Sequence, residues 1–126
     1  ELADGTLIPA KPSPLLGPSA ALLLNATKHL AGIDHDIKLI PQEMIEPIQK
    51  TKVSLLHGHN PRLHTDEVLV ALSMLSLHDD NCRRALECLP QLKDCQAHST
   101  VMLSEVDHKI FKKLGIGLTC DPIRKK

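Results

Sequence analysis

Tryptophan and tyrosine are absent from the 126 residues, and Phe111 is the single aromatic side chain. A core without rings has to be filled by Leu, Ile, Val, Ala and Met. A surface without them lacks the platforms on which nucleic-acid bases stack and the anchors that dominate many interfaces. Neither sign of charge is in excess: 15 Lys plus Arg face 15 Asp plus Glu, a net charge of zero with neutral histidine. Only Ile123-Arg124-Lys125-Lys126 is locally basic, which argues against nucleic acid as a partner. No apolar run approaches the roughly 20 residues of a membrane-spanning helix, and the first residues carry no signal-peptide pattern. No membrane partner is therefore expected. Cys82, Cys88, Cys95 and Cys120 include no Cys-x-x-Cys pair. A chain of this length buries roughly two-thirds of its extended surface, enough for one core without a disulfide framework. The cysteines read as reduced thiols of a cytoplasmic protein.

Two catalytic signatures are also missing. A zincin protease needs His-Glu-x-x-His, so that two imidazoles share a helical face with the glutamate beside the metal, and the chain has no His-Glu dipeptide. Gly-x-x-x-x-Gly-Lys-Ser/Thr, the phosphate-cradling loop, does not occur either.

What is present alternates between strand and helix patterns. Asp4-Gly5 between Leu2 and Leu7-Ile8 predicts a hairpin of two short strands. Pro9 to Pro18 holds four of the nine prolines and must be extended, after which Ser19 to Ala31 is almost wholly Ala and Leu and ends at Gly32. Ile37 to Ile40 predicts a strand closed by Pro41, and Gln42 to Leu56 a helix that Pro47 restarts or kinks. Thr65 is the expected N-cap of a helix over Val68–Leu77, with Asp66 and Glu67 in its first turn. Asp79-Asp80-Asn81 caps a helix from Cys82 to Leu89. Ala97–Leu103 and Ile116–Cys120 predict parallel strands joined by a helix that Ser104 caps, with Asp107 three positions on and Gly115 at its end. The sum is a single domain over residues 1–126, a layered α/β/α fold with a mixed sheet.

The densest cluster of chemistry lies in one turn-rich stretch, His57-Gly58-His59-Asn60-Pro61-Arg62-Leu63-His64-Thr65-Asp66-Glu67. Polar groups of several types converge on ligands from loops that a rigid scaffold positions. The histidine spacings match no zinc motif and no cysteine lies nearby, so no metal is assigned. Arg62, flanked by Asn60, His64 and Thr65, has the fork that grips a phosphate or carboxylate; the structural alternative is an arginine paired to Asp66 or Glu67. His98-Ser99 at a strand start is a second candidate, with a buried histidine satisfied by backbone as its alternative. Asn25, a polar intruder among leucines, faces a cleft or bonds a loop.

The element order, with its opening Asp-Gly hairpin, resembles the cytidine-deaminase-like fold. Zinc deaminases place His-x-Glu or Cys-x-Glu at the first helix and Pro-Cys-x-x-Cys after the third strand. Here those places read Pro18-Ser19-Ala20-Ala21 and Pro41-Gln42-Glu43-Met44, with no ligand at either, so the architecture is expected without the zinc chemistry.

Over essentially its whole length the chain resembles the C-terminal domain of a bacterial family of longer uncharacterised proteins, domain of unknown function 1846. The stretches that carry the resemblance are Pro14-Leu15-Leu16-Gly17 with Ser19 to Ala26, Glu46-Pro47-Ile48-Gln49-Lys50, Asn60 to Leu69, Ala97-His98-Ser99-Thr100 with Leu103-Ser104, and Lys113-Leu114-Gly115 with Leu118-Thr119-Cys120. The resemblance implies a C-terminal piece of a longer chain, whose phosphate-cradling loop lies upstream. Members are often labelled ATP-dependent zinc proteases, a label for which this segment holds no motif.

Two functions follow. In the first, a ligand-binding and assembly module completes an anion or nucleotide site with the N-terminal remainder of its own chain, using Asn60, Arg62, His64, Thr65, His98 and Ser99, and packs into a homo-oligomer. No cofactor is assigned to the segment itself. In the second, an enzyme half-site uses His64 with Asp66 or Glu67 as acid and base on a phosphate or carboxylate substrate held by Arg62.

Overall fold

Because leucine and alanine leave residues 19–31 without a polar face, helix α1 (Pro18–Ala31) is buried on two sides. The computed structural model describes residues 1–121; the basic tail at 123–126 lies outside the described residues. Pro18 occupies the first turn of α1, where its missing N–H is no loss, and Gly32, at φ 69°, closes it in the left-handed conformation. Ala20 and Leu24 face one core with Leu63, Val68 and Leu72, whereas Leu23 and Ala26 face a second with Leu92, Phe111 and Ile116.

Around α1 run α2 (Gln42–Lys50), a π-helical turn over Thr51–Leu55, α3 (Thr65–Leu75), α4 (Asp80–Glu87), a 3₁₀ turn over Leu89–Leu92, β1 (Gln96–Ser99), α5 (Glu105–Lys113) and β2 (Gly117–Cys120). The two strands pair in parallel, from Gln96 opposite Gly117 to Ser99 opposite Cys120. The fold is thus mixed α/β, with five α-helices and one small sheet among the described residues. No described helix is long and apolar enough to cross a membrane.

The β-α-β unit and the caps of α4 and α5 follow the sequence pattern. Asp79 accepts from Cys82 N at 3.1 Å and Ser104 Oγ from Asp107 N at 3.2 Å. Other expectations need correction. The mixed sheet does not form among the described residues, because two anticipated pairings are replaced. At Asp4-Gly5 only Gly5 takes a positive φ, 87°. A hairpin turn of the expected kind needs it at both residues, so the turn closes on itself through Leu2 N to Thr6 O (2.9 Å), while Glu1 pairs with Gln96 of β1 rather than across the turn and Leu7 is 74 % exposed. Residues 37–40 carry no strand because side chains take up their backbone carbonyls. Lys28 Nζ donates to His35 O (2.9 Å) and Ile37 O (3.1 Å), and Cys82 Sγ to Leu39 O (3.1 Å).

Smaller shifts have local causes. β1 stops at Ser99, whose hydroxyl donates to Val101 O (2.8 Å) and accepts from Val101 N (3.2 Å), curling the chain away from the ladder. Pro47 sits inside α2 without ending it, and the helix widens into the π-helical turn after Lys50. The N-cap of α3 is His64, one residue before the expected Thr65.

Candidate functional site

The polar stretch over residues 57–67 is held by its own backbone and by neighbouring segments. Leu63, fully buried, donates to Leu15 O (2.9 Å) and accepts from Gly17 N (3.1 Å), which fastens the loop to the residues that open α1. Arg62 N donates to Asn60 Oδ1 (3.0 Å), and Lys52 Nζ reaches Arg62 O (2.8 Å) and Glu67 Oε1 (2.8 Å). Glu67 Oε1 also accepts from His64 N at 2.9 Å, capping α3. Asp66 Oδ1 accepts from Glu67 N at 2.9 Å. Both carboxylates are therefore occupied.

His64 is half-buried. Its Nδ1 lies 3.5 Å from Glu67 Oε1 and its Nε2 3.5 Å from Asn60 Nδ2, at the outer limit of hydrogen bonding. These neighbours hold the ring. The Arg62 guanidinium is exposed and has no carboxylate partner among the described residues, so the pairing to Asp66 or Glu67 does not form. His57 and His59 are exposed. Among the described residues no three His, Cys, Asp or Glu side chains gather as a metal site, and all four cysteines are free thiols.

Thr65 has a different role from the one its position in the loop suggests. It is fully buried, and both its N–H (3.2 Å) and its hydroxyl (2.8 Å) donate to Asp107 Oδ1 in the first turn of α5. Asp107, 4 % exposed, has no lysine or arginine within ion-pair distance among the described residues. Hydrogen-bond donors and the positive ends of two helix dipoles hold its charge. The N-termini of α1, α3 and α5 are thereby tied into one pole of the domain, α1 through Gly17 to Leu63 and α3 through Thr65 to Asp107.

A cavity of about 300 Å³ opens at this pole between α1 and the sheet. From α1 it is lined by Ser19, Leu22, Leu23 and Ala26, which at helical spacing form one face. Ala97, His98, Ser99, Thr100 and Val101 border it from β1 and the connection to α5, and Phe111 and Leu118 contribute apolar wall. Ligands of open α/β sheets sit outside the carboxyl ends of parallel strands, and Thr100 and Val101 leave β1 at that end. Among the residues singled out from the sequence, His98 and Ser99 come together here, whereas Asn60, Arg62, His64 and Thr65 do not line the cavity.

His98 is exposed, with Nδ1 2.7 Å from Thr119 Oγ1, which itself donates to Ala97 O at 3.3 Å. That hydroxyl makes Nδ1–H the donor and leaves Nε2 free, so the buried, backbone-satisfied histidine does not occur. Asn25 bonds a loop, Nδ2 donating to Pro9 O at 3.1 Å.

Sequence reasoning missed Ser19. It is 2 % exposed, and among the described residues its Oγ alone is a buried side-chain polar atom without a hydrogen-bond partner. The signal was a serine just after Gly17-Pro18, at the head of a helix whose cap supplies no side chain.

The family described as domain of unknown function DUF1846, C-terminal, matches residues 1–126. A UPF0371 protein of Corynebacterium aurimucosum is 54 % identical over 123 residues, covering 98 % of this chain and 25 % of the relative. One from Corynebacterium urealyticum is 54 % identical over 122 residues, covering 97 % and 24 %. One from Streptococcus thermophilus is 46 % identical over 122 residues, covering 97 % and 25 %. The chain therefore spans about a quarter of the length of the curated relatives it matches. It belongs to the DUF1846 family as its C-terminal domain.

Proposed function

We propose that this DUF1846 C-terminal domain is a ligand-binding and assembly module of a larger bacterial protein, its ligand seated in the cavity between α1 and the sheet. The observation that carries the reading is that the cavity opens between the first turn of α1 and the carboxyl end of β1. The positive end of the α1 dipole favours an anion there, and aliphatic walls favour an apolar body. His98 and Ser99 stand at the rim. Asn60, Arg62 and His64, at the same pole, meet the remainder of the chain and complete the anion site with it; the exposed Arg62 guanidinium, without a carboxylate partner among the described residues, supports this part. The deaminase-like topology belongs to the same reading, in which the remainder of the chain extends the sheet.

The test is a thermal-shift screen of the full-length protein against carboxylates, nucleotides and sugar phosphates. Thr100→Trp, at an exposed rim position, should abolish the stabilisation given by a bound ligand, while Arg62→Ala should weaken it. A stabilising ligand that is indifferent to Thr100→Trp would remove the cavity from the function.

A further inference from the structure

From the first turn of α1 we infer that the cavity selects a small aliphatic carboxylic acid, its carboxylate on the hydroxyl and N–H of Ser19 and its apolar body along Leu22, Leu23 and Ala26. This rests on the cavity being the ligand site. Ser19 heads the α1 face that lines the cavity, and its hydroxyl, almost wholly buried, has no partner among the described residues. A buried hydroxyl left unsatisfied bears the full cost of its desolvation, so a group from outside the chain is its natural complement.

The backbone beside it is unsatisfied in the same way. Gly17 gives α1 no side-chain cap, Pro18 has no N–H, and the first turn holds no acidic residue. Ala21 N is taken by Gly17 O at 3.1 Å. What remains at this helix end is the N–H of Ser19, the N–H of Ala20 and the Ser19 hydroxyl.

Of these two residues Ser19 lines the cavity, and its two donors with a helix dipole worth roughly half a positive charge match a monoanion with two acceptor oxygens. A phosphate monoester brings nearly two negative charges and a third oxygen, and phosphate sites ordinarily add a lysine or arginine. Among the described residues none lines this cavity. Beyond Ser19 the same helix face turns aliphatic, and Phe111 and Leu118 lie across from it. The α1 side of the wall is therefore polar at Ser19 and apolar beyond it, while Glu1, Gln96 and His98 line other parts of the cavity; along α1 this is the pattern of a carboxylic acid with a hydrocarbon chain.

The experiment is calorimetric titration of the full-length protein with hexanoate, hexanol and hexyl phosphate, repeated on Ser19→Ala and Thr100→Trp. Hexanoate should bind about tenfold more tightly than either other probe, and Ser19→Ala should erase that preference while leaving hexanol unchanged. Ligand-free Ser19→Ala should melt no lower than the wild type, because its hydroxyl has no partner to lose. A lower melting point would show an internal partner and overturn the inference. Equal binding of hexanoate and hexanol, sensitive to Thr100→Trp, would keep the cavity as a ligand site and refute the carboxylate. Tighter, Ser19-dependent binding of hexyl phosphate would replace the ligand class. No binding of any probe at about 10 mM, a free energy weaker than roughly 3 kcal/mol, would overturn both readings.

Discussion

Thr65→Val exchanges a hydroxyl for a methyl of similar shape at a site with no solvent exposure, and it tests how the α3 and α5 N-termini are joined. The lost contact is the 2.8 Å bond from Thr65 Oγ1 to Asp107 Oδ1, while the 3.2 Å bond from the backbone N–H survives. Hydrogen bonds to a charged group are worth about 1.5–3 kcal/mol, and a carboxylate that stays buried with one donor fewer keeps its desolvation cost. Thr65→Ser retains the hydroxyl and deletes one methyl, at about 1 kcal/mol. Packing alone would make valine the milder change, because it preserves volume. The hydrogen-bond account reverses that order. For a domain of this size roughly 3–4 °C accompany each kcal/mol, so Thr65→Val should lower Tm by roughly 5–12 °C and Thr65→Ser by roughly 3–4 °C. Urea unfolding should show a lower midpoint with an unchanged m-value. In a cycle with Asp107→Ala, a coupling above about 1 kcal/mol is expected. A Thr65→Val protein as stable as wild type, or more stable than Thr65→Ser, refutes the reasoning.

Two further outcomes concern buried titratable groups. Burial, with Asp79 beside it, pushes the Cys82 thiol from 9.0 up to about 11, so iodoacetamide should label the half-buried Cys88 and Cys120 of the folded protein well before Cys82, as read by mass spectrometry. The native state holds that proton longer than the unfolded chain. Stability from Cys82 is then intact below 9.0 and is lost as pH rises toward 11, and Cys82→Ala should flatten that decline in urea midpoints. Lys28 has the opposite sign. Burial lowers its pKa from 10.5, against the raising influence of Asp36 and Asp34, so the unfolded chain binds more protons just below 10.5 and this group's penalty is relieved as pH climbs there. Lys28→Met should remove that rising slope; an unchanged pH profile in Lys28→Met would show that its burial carries no energetic weight.

Much of the helical framework was legible because its signals are local. Pro18 and Gly32 bracket α1, Asp79 and Ser104 cap their helices through bonds spanning three residues, and the aliphatic run in α1 foretold burial on two sides. The site was less legible. Composition drew attention to residues 57–67, where most of the polarity is spent on holding the loop, and away from Ser19, a single hydroxyl in an apolar helix. His98 and Ser99 were singled out, but the cavity that they line was not foreseen.

By itself the sequence determined where α1 begins and ends, how α4 and α5 are capped, that two strands flank α5, and that α1 is buried, since each depends on neighbours within a turn or on side-chain periodicity. The tertiary structure alone decided that residues 37–40 give their carbonyls to Lys28 and Cys82, that Thr65 answers Asp107 across 42 positions, and that Ser19 is left unpartnered beside a cavity. Each of those outcomes depends on which donor meets which acceptor after the chain has closed. Buried polar groups must find partners wherever packing leaves them, and no pattern of adjacent residues encodes a partner brought close only by the fold.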